Sequence, residues 1–419
     1  VATPLAQLET PALLLDPVRM DRNIARMRER IRHHGVALRP HVKTNKSIDV
    51  TRRMLDRRPG PVTVSTLREA EYFAAHGVTD ILYAVGITPN KLSHVLWLRE
   101  RGVRLSIILD SCDAARAVTC RASSAGATFD VMLEIDCDGH RSGLRPEAPE
   151  LLAVAETLRS PQVNVVGVMT HAGSSYNCRS VDAIRTIAEQ ERAGAVHAAN
   201  RLRAAGYACP TVSVGSTPTA TFADHLTGVT EVRAGVYVFF DLVMAGLAVC
   251  AVDDIALSVL TSVIGHQRDK GWTIVDAGWM AMSRDRGTSS QAVDQGYGLV
   301  CDIDGRVLAD YTVSGANQEH GIISHRSGDS ARLLDVPVGT SLRILPNHAC
   351  ATAAQHSVYH VLSENGGVED VWERFNGWGP ISSSISKRPP PPPRSICYLS
   401  IDHRFIDASM IDEKIEDRR

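Results

Sequence analysis

The chain has 419 residues, a formal net charge of −2, 44% hydrophobic residues and 22% charged residues. That length suffices for about two domains with a sizeable core. The near-neutral charge leaves no basic field for a nucleic acid or an anionic membrane surface, and no run of 18 apolar residues is present to form a membrane-spanning helix.

Nine cysteines are scattered without a CxxC pair. An odd, dispersed set points to a reducing cytosol rather than a disulfide framework. The first ten residues lack the cationic and apolar pattern of a secretory leader, so a cytoplasmic protein is expected. Asp16 is placed to cap a helix over 17–34. Eight strand-like runs follow at 37–43, 62–66, 81–85, 104–110, 129–136, 164–171, 211–217 and 231–235. Helical patterns lie between them, as at 111–125, 147–158 and 181–205. Eight βα units of this length predict an α/β fold, a (β/α)8 TIM-like barrel over residues 11–250. A doubly wound open sheet is the competing arrangement. After residue 250, short strands at 256–265, 271–276, 298–301, 307–313 and 340–345 are joined by turns rich in Gly and Asp. They predict a second, mostly β domain over 251–378, with residues 1–10 packing on it. Residues 379–419, rich in Pro and Ser, are expected to be a disordered tail.

Polar residues gather at the C-terminal strand ends, where barrel active sites form. The first strand ends in Arg39-Pro40-His41-Val42-Lys43-Thr44-Asn45-Lys46. A lysine at that mouth can form a Schiff base with an aldehyde cofactor and act as a base. The seventh and eighth strands end in Val214-Gly215-Ser216-Thr217 and Arg233-Ala234-Gly235-Val236-Tyr237. Gly215 permits close backbone approach, and Ser216, Thr217, Gly235 and Val236 offer hydroxyl and N–H donors for a phosphate. Plain helix capping by Ser216 or Thr217 is the simpler alternative. Lysine and cradle together favour pyridoxal 5'-phosphate. In the β domain, Pro346-Asn347-His348-Ala349-Cys350 places an imidazole and a thiol two residues apart. In an extended segment both would lie on one face. Such a pair suits Zn²⁺ or another divalent metal with open positions. His320 is a candidate outer partner.

Taken in order, RPHVKTNK (39–46), EIDCDGHRSG (134–143), THAGSSY (170–176), VGSTPT (214–219), DAGWMAMSRDR (276–286) and PNHACAT (346–352) resemble the metal-dependent branch of the alanine-racemase-like pyridoxal-phosphate enzymes. That branch holds D-serine dehydratases, D-threonine aldolases and D-threo-3-hydroxyaspartate dehydratases, and the resemblance covers about residues 10–378. It implies that Lys43 carries the cofactor, with Arg141 near its phenolic oxygen and Tyr176 at its ring. Ser216, Thr217, Gly235 and Val236 would hold the phosphate, and His348 and Cys350 a divalent metal (Zn, Mn or Co). The aldolases tend to have a carboxylate where Cys350 stands, so the resemblance implies dehydration of a 3-hydroxy D-amino acid. The substrate would be D-threo-3-hydroxyaspartate, giving oxaloacetate and ammonia, or D-serine, giving pyruvate. A D-threonine-type aldolase, a racemase and a non-catalytic pyridoxal-phosphate homeostasis protein are the alternatives. Relatives of this fold are often homodimers. No acidic partner for the pyridine nitrogen is evident in the sequence.

Overall fold

Apolar strand runs buried on both faces form parallel sheets, because crossover helices cover their outer side. The computed structural model describes residues 2–378. It begins with β1 (Ala12–Leu15) and α1 (Pro17–His33), where Asp16 accepts the Arg19 N–H at 2.9 Å as N-cap. Then come β2 (Ala37–Leu38), α2 (Ile48–Met54), β3 (Val62–Val64), α3 (Leu67–Ala75), β4 (Asp80–Gly86) and α4 (Leu92–Arg99). The alternation continues through β5 (Arg104–Leu109), α5 (Cys112–Ala125), β6 (Phe129–Ile135), α6 (Glu150–Thr157), β7 (Val163–Thr170), α7 (Val181–Ala204), β8 (Thr211–Val214), α8 (Thr217–Phe222) and β9 (Glu231–Val232).

Strands β2 to β9 pair in parallel in the order β2-β9-β8-β7-β6-β5-β4-β3. The last seam is a bridge between His41 and Thr63: Val42 N–H donates to Thr63 O at 2.9 Å, and Thr63 N–H to Pro40 O at 2.8 Å. The sheet is therefore closed, as in the barrel reading and not the open one. Its first strand is shorter than expected. Pro40 has no N–H to give β3, and residues 42–45 form a tight turn, so Lys43 sits in that turn rather than on the strand. Alternate positions separate two cores. Leu82, Ile108, Met132 and Met169 cluster on one face of β4 to β7, while Ile81, Ile107, Val131 and Val168 join the larger core.

Beyond α9 (Leu242–Gly246) the pairing becomes antiparallel, apart from the parallel pairing of β1 with the Val358–Leu362 strand. The elements are β10 (Leu257–Gln267), β11 (Trp272–Val275), α10 (Trp279–Met282), β12 (Gly298–Cys301), β13 (Val307–Ala316), β14 (Gly321–His325), β15 (Ser341–Pro346), α11 (Ala349–Ala353), β16 (Val358–Leu362) and β17 (Val368–Glu373). Pairings β10-β11-β14-β13-β12-β15 return to β10 and close a second barrel, which β1, β16 and β17 extend. The boundary drawn at residue 11 falls just before β1, whose four residues are buried in this sheet. Strands β14, β16 and β17 were not expected; β17, for instance, buries only Val368 and Trp372. The expected tail lies outside the described residues. Among those described, no helix is long and apolar enough to cross a membrane.

The two barrels meet at the turn that carries Lys43. The buried Tyr359 hydroxyl donates to Asn45 O at 2.6 Å, and Phe375 N–H donates to Lys46 O at 2.8 Å. Removing the hydroxyl would leave a buried carbonyl without its partner, a cost of about 1–3 kcal/mol. Tyr359→Phe is therefore expected to lower the Tm by several degrees; an unchanged melting curve would mean that this bond does not hold the turn.

Candidate active site

The turn lifts Lys43 into a cavity of about 410 Å³ between the barrel mouth and the antiparallel unit. The Lys43 side chain opens to the cavity, yet protein surrounds it on most sides. That enclosure pushes its pKa below the ordinary lysine value. Arg141 and Arg233 push the same way, and Cys350 opposes them. His41 and His171 line the same cavity. Burial holds His41 well below the usual imidazole range and pushes His171 down to about 3, so both rings are neutral near pH 7. His171 Nδ1 pairs with Gly215 O at 3.0 Å.

The opposite wall is the expected phosphate cradle. Gly215 has φ +140°, in the region that favours glycine, and a Cβ there would run into the Arg233 backbone. A Cβ on Gly235 would stand 2.7 Å from His41 O. Ser216 caps α8: its Oγ accepts the Thr219 N–H at 3.2 Å, and its own N–H donates to Thr219 Oγ1 at 3.1 Å. The capping alternative therefore describes Ser216. Thr217 is different. Its Oγ1 is buried and has no hydrogen-bond partner among the described residues, although Thr217 lines the cavity. The Gly235 and Val236 amides likewise find no acceptor among the described residues. Orphaned donors are costly unless an acceptor arrives, so this wall fits a phosphate. Tyr176 lies across it, with its hydroxyl at the Thr217 N–H. Arg141 does not line the cavity; it is exposed in the loop after β6, where its charge still reaches Lys43 and both histidines.

Two buried carboxylates that sequence reasoning missed hold these loops in place. Glu191 on α7 accepts Ala172 N–H and Gly215 N–H, each at 3.0 Å, and Thr219 Oγ1–H at 2.8 Å. Asp241 accepts Met244 N–H and Ala349 N–H, each at 2.9 Å, and so ties α9 to α11. Burial raises the pKa of both. Neither stood in a motif that the sequence singled out.

His348 and Cys350 also face this cavity. Contrary to expectation, they do not share one extended segment. His348 is extended (φ −135°) and precedes α11, and Cys350 lies in the first turn of that alanine-rich helix. Their side chains nonetheless lie close enough for their charges to interact. Burial opposes ionisation of both groups, but each favours the other: His348 is held well above the usual imidazole pKa and Cys350 below the usual thiol pKa. Thr44 Oγ1 lies 3.2 Å from Cys350 Sγ. His348 Nδ1 pairs with Asp285 Oδ2 at 2.6 Å, which leaves Nε2 as the free ring nitrogen. Asp285, and not His320, pairs with the His348 ring; His320 is exposed in the β13–β14 turn. The signal for Asp285 lay in the 276–286 motif. Among the described residues no three His, Cys, Asp or Glu side chains converge as a metal cage. An oriented imidazole beside a cysteine sulfur still fits a two-ligand metal site with positions open to substrate and water.

A closed parallel barrel with a lysine and an anion cradle at its mouth, docked on a closed antiparallel barrel, defines the alanine-racemase-like class. A family model described as alanine racemase, N-terminal domain, matches residues 15–243, and one described as putative serine dehydratase domain matches residues 256–362. The chain belongs to the family of alanine-racemase-like enzymes that includes the D-serine and D-threo-3-hydroxyaspartate dehydratases. D-threo-3-hydroxyaspartate dehydratase of Delftia sp. (strain HT23) is 56% identical over 379 residues, 89% of this chain and 99% of that one. Its solved structure superposes with a TM-score of 0.87 at 55% identity, covering 90% of this chain and all of the other. A cysteine-to-alanine mutant of D-threo-3-hydroxyaspartate dehydratase has been solved in a metal-free form, at a TM-score of 0.86, 55% identity and coverage of 90% of this chain and all of the other. A D-serine dehydratase of Dictyostelium discoideum is 30% identical over 88% of this chain and 98% of its own length. A D-threonine aldolase of Arthrobacter sp. is 30% identical over 88% of this chain and 93% of its own. The family implies pyridoxal phosphate and a metal.

Because Asp285 fixes the His348 ring, Asp285→Asn is expected to weaken metal retention about 10- to 100-fold. Metal per chain, measured after dialysis against graded chelator, reads this directly; retention equal to that of the parent would remove Asp285 from the site.

Proposed function

We propose that this chain is a dehydratase dependent on pyridoxal phosphate and a divalent metal. It would convert a 3-hydroxy D-amino acid, foremost D-threo-3-hydroxyaspartate, to a 2-oxo acid and ammonia. The observation that carries the reading is the single cavity in which Lys43 stands with the Thr217 cradle and the His348–Cys350 pair. Hydroxyaspartate would give oxaloacetate and ammonia; D-serine would give pyruvate and ammonia.

Lys43 is assigned to hold the cofactor through its ε-amine, with Thr217, Ser216, Gly235 and Val236 at the phosphate and Tyr176 toward the ring, while Arg141 acts through its charge from the loop after β6. Pyridoxal phosphate, when bound, supplies an electron sink for loss of the α-proton. Enclosure favours the neutral amine of Lys43, so Nζ is suited to take that proton. His348 and Cys350 would hold the metal, which supplies Lewis acidity toward the departing β-hydroxyl. Imidazole and thiolate together favour Zn²⁺, with Mn²⁺ and Co²⁺ as alternatives. Neutral His41 and His171 add no cation beside Lys43. The eight cysteines among the described residues are all unpaired, which supports a cytoplasmic setting.

Cys350 also favours dehydration over aldol cleavage, since the aldolases of the family tend to have a carboxylate there. Lys43→Ala is expected to abolish turnover while pyridoxal phosphate still binds non-covalently. Cys350→Ala is expected to lose metal and activity together, and unchanged metal content would defeat its assignment. Products from D-threo-3-hydroxyaspartate, D-serine and D-threonine, each with and without chelator, test the whole reading. Oxo acid with ammonia, lost on chelation, is expected; glycine with an aldehyde would overturn it in favour of an aldolase.

A further inference from the structure

On the side of Lys43 and Cys350 away from the cradle, a second chamber of about 670 Å³ opens above α3 and the end of β4. Its wall is strongly cationic. Lys46 is answered by Glu69 at 3.1 Å and Arg68 by Glu71 at 2.6 Å. Lys91 and Arg374 have no carboxylate within ion-pair reach among the described residues, and the buried Arg374 Nε has no hydrogen-bond partner there. Uncompensated cations in a partly enclosed space repel one another and favour an anionic guest.

The two cations differ in what else they do. Arg374 is bound into the segment that roofs the chamber: its N–H donates to Ser357 O at 2.8 Å, and its guanidinium bonds Asn376 Oδ1. Lys91 follows β4 and has one polar contact, donating to Tyr83 OH at 2.8 Å. The phenol oxygen accepts there, so its own proton remains free for an acceptor. A carboxylate beside this pair would take a second N–H from Lys91 and the O–H of Tyr83, a charge-assisted arrangement.

In the dehydratase reading, on which this inference rests, Lys43 serves Cα and Cys350 the β-hydroxyl. The substituent beyond the β-carbon is then the one that enters the chamber. We propose that Lys91 and Tyr83 form the subsite for the β-carboxylate of a dicarboxylic substrate, and so set the preference for hydroxyaspartate over serine. Neither residue belongs to the motifs that carry the family resemblance.

The test compares parent holoenzyme with Lys91→Met and Tyr83→Phe, which keep the stem and the ring. The ratio of kcat/KM for D-threo-3-hydroxyaspartate to that for D-serine is expected to fall at least about tenfold in each, through KM, and Lys91→Arg should recover most of it. Equal losses on both substrates would assign the pair to the α-carboxylate or to folding, and an unmoved ratio would remove it from the site; either overturns the proposal. Succinate, which cannot react, provides a second readout. It should raise the Tm of the parent and lose that effect in Lys91→Met; an equal shift in both overturns the proposal. If the parent turns over neither substrate, the dehydratase reading fails, while the succinate comparison still decides whether the chamber takes a dicarboxylate.

Discussion

The tight turn at residues 42–45 is the constraint on which the rest of the site depends. Val42 is sewn to β3, Asn45 is held by Tyr359 on β16 of the second sheet, and Gly235 leaves no room for a side chain behind His41. A long, flexible lysine gains direction only when its backbone is fixed from several sides. Here the fixing groups come from both barrels, so the position of Lys43 reports on how they dock.

The electrostatics follow from the same enclosure. Lys43 and Arg233 share the cavity, the Arg141 charge reaches it from the loop after β6, and the neighbouring histidines answer by staying neutral. Charge of the opposite sign is kept in the framework. Glu191 and Asp241 spend their oxygens on backbone N–H groups and a threonine hydroxyl, which fixes loops without neutralising the lysine. Lys43 and Arg233 thus stand in the cavity where a phosphate and a substrate carboxylate are expected.

Much of this was legible in the sequence, for identifiable reasons. Most of the eight parallel strands are largely apolar runs, and the helices have clear caps at Asp16, Ser111 and Ser180. Lys43, Thr217, His348 and Cys350 stand in short motifs whose residue types have few other uses in combination. Strands β14 and β17 were hidden because they are short and largely exposed on one face, so their alternation carries little apolar signal. β1 was hidden because four residues are too few to say which sheet they join. Glu191 and Asp241 were hidden because a carboxylate on a helix or in a loop usually faces water. Only the fold shows that these two are buried against amides. The geometry of His348 and Cys350 was misread for a local reason: Ala349-Cys350-Ala351-Thr352-Ala353 coils into helix, yet the side chains still meet.

Lys43 and the anion cradle come from one barrel, while His348, Cys350 and Asp285 come from the other. Asp241, at the junction, caps helices on both sides. The parts assigned to opening the substrate and the parts assigned to expelling its leaving group are therefore carried by different sheets of the fold. Drift in the β15–α11 connection can alter which bond breaks without disturbing the lysine or its cradle. A family built this way can divide into lyases that lose hydroxide and lyases that split carbon from carbon by rewriting a single short loop.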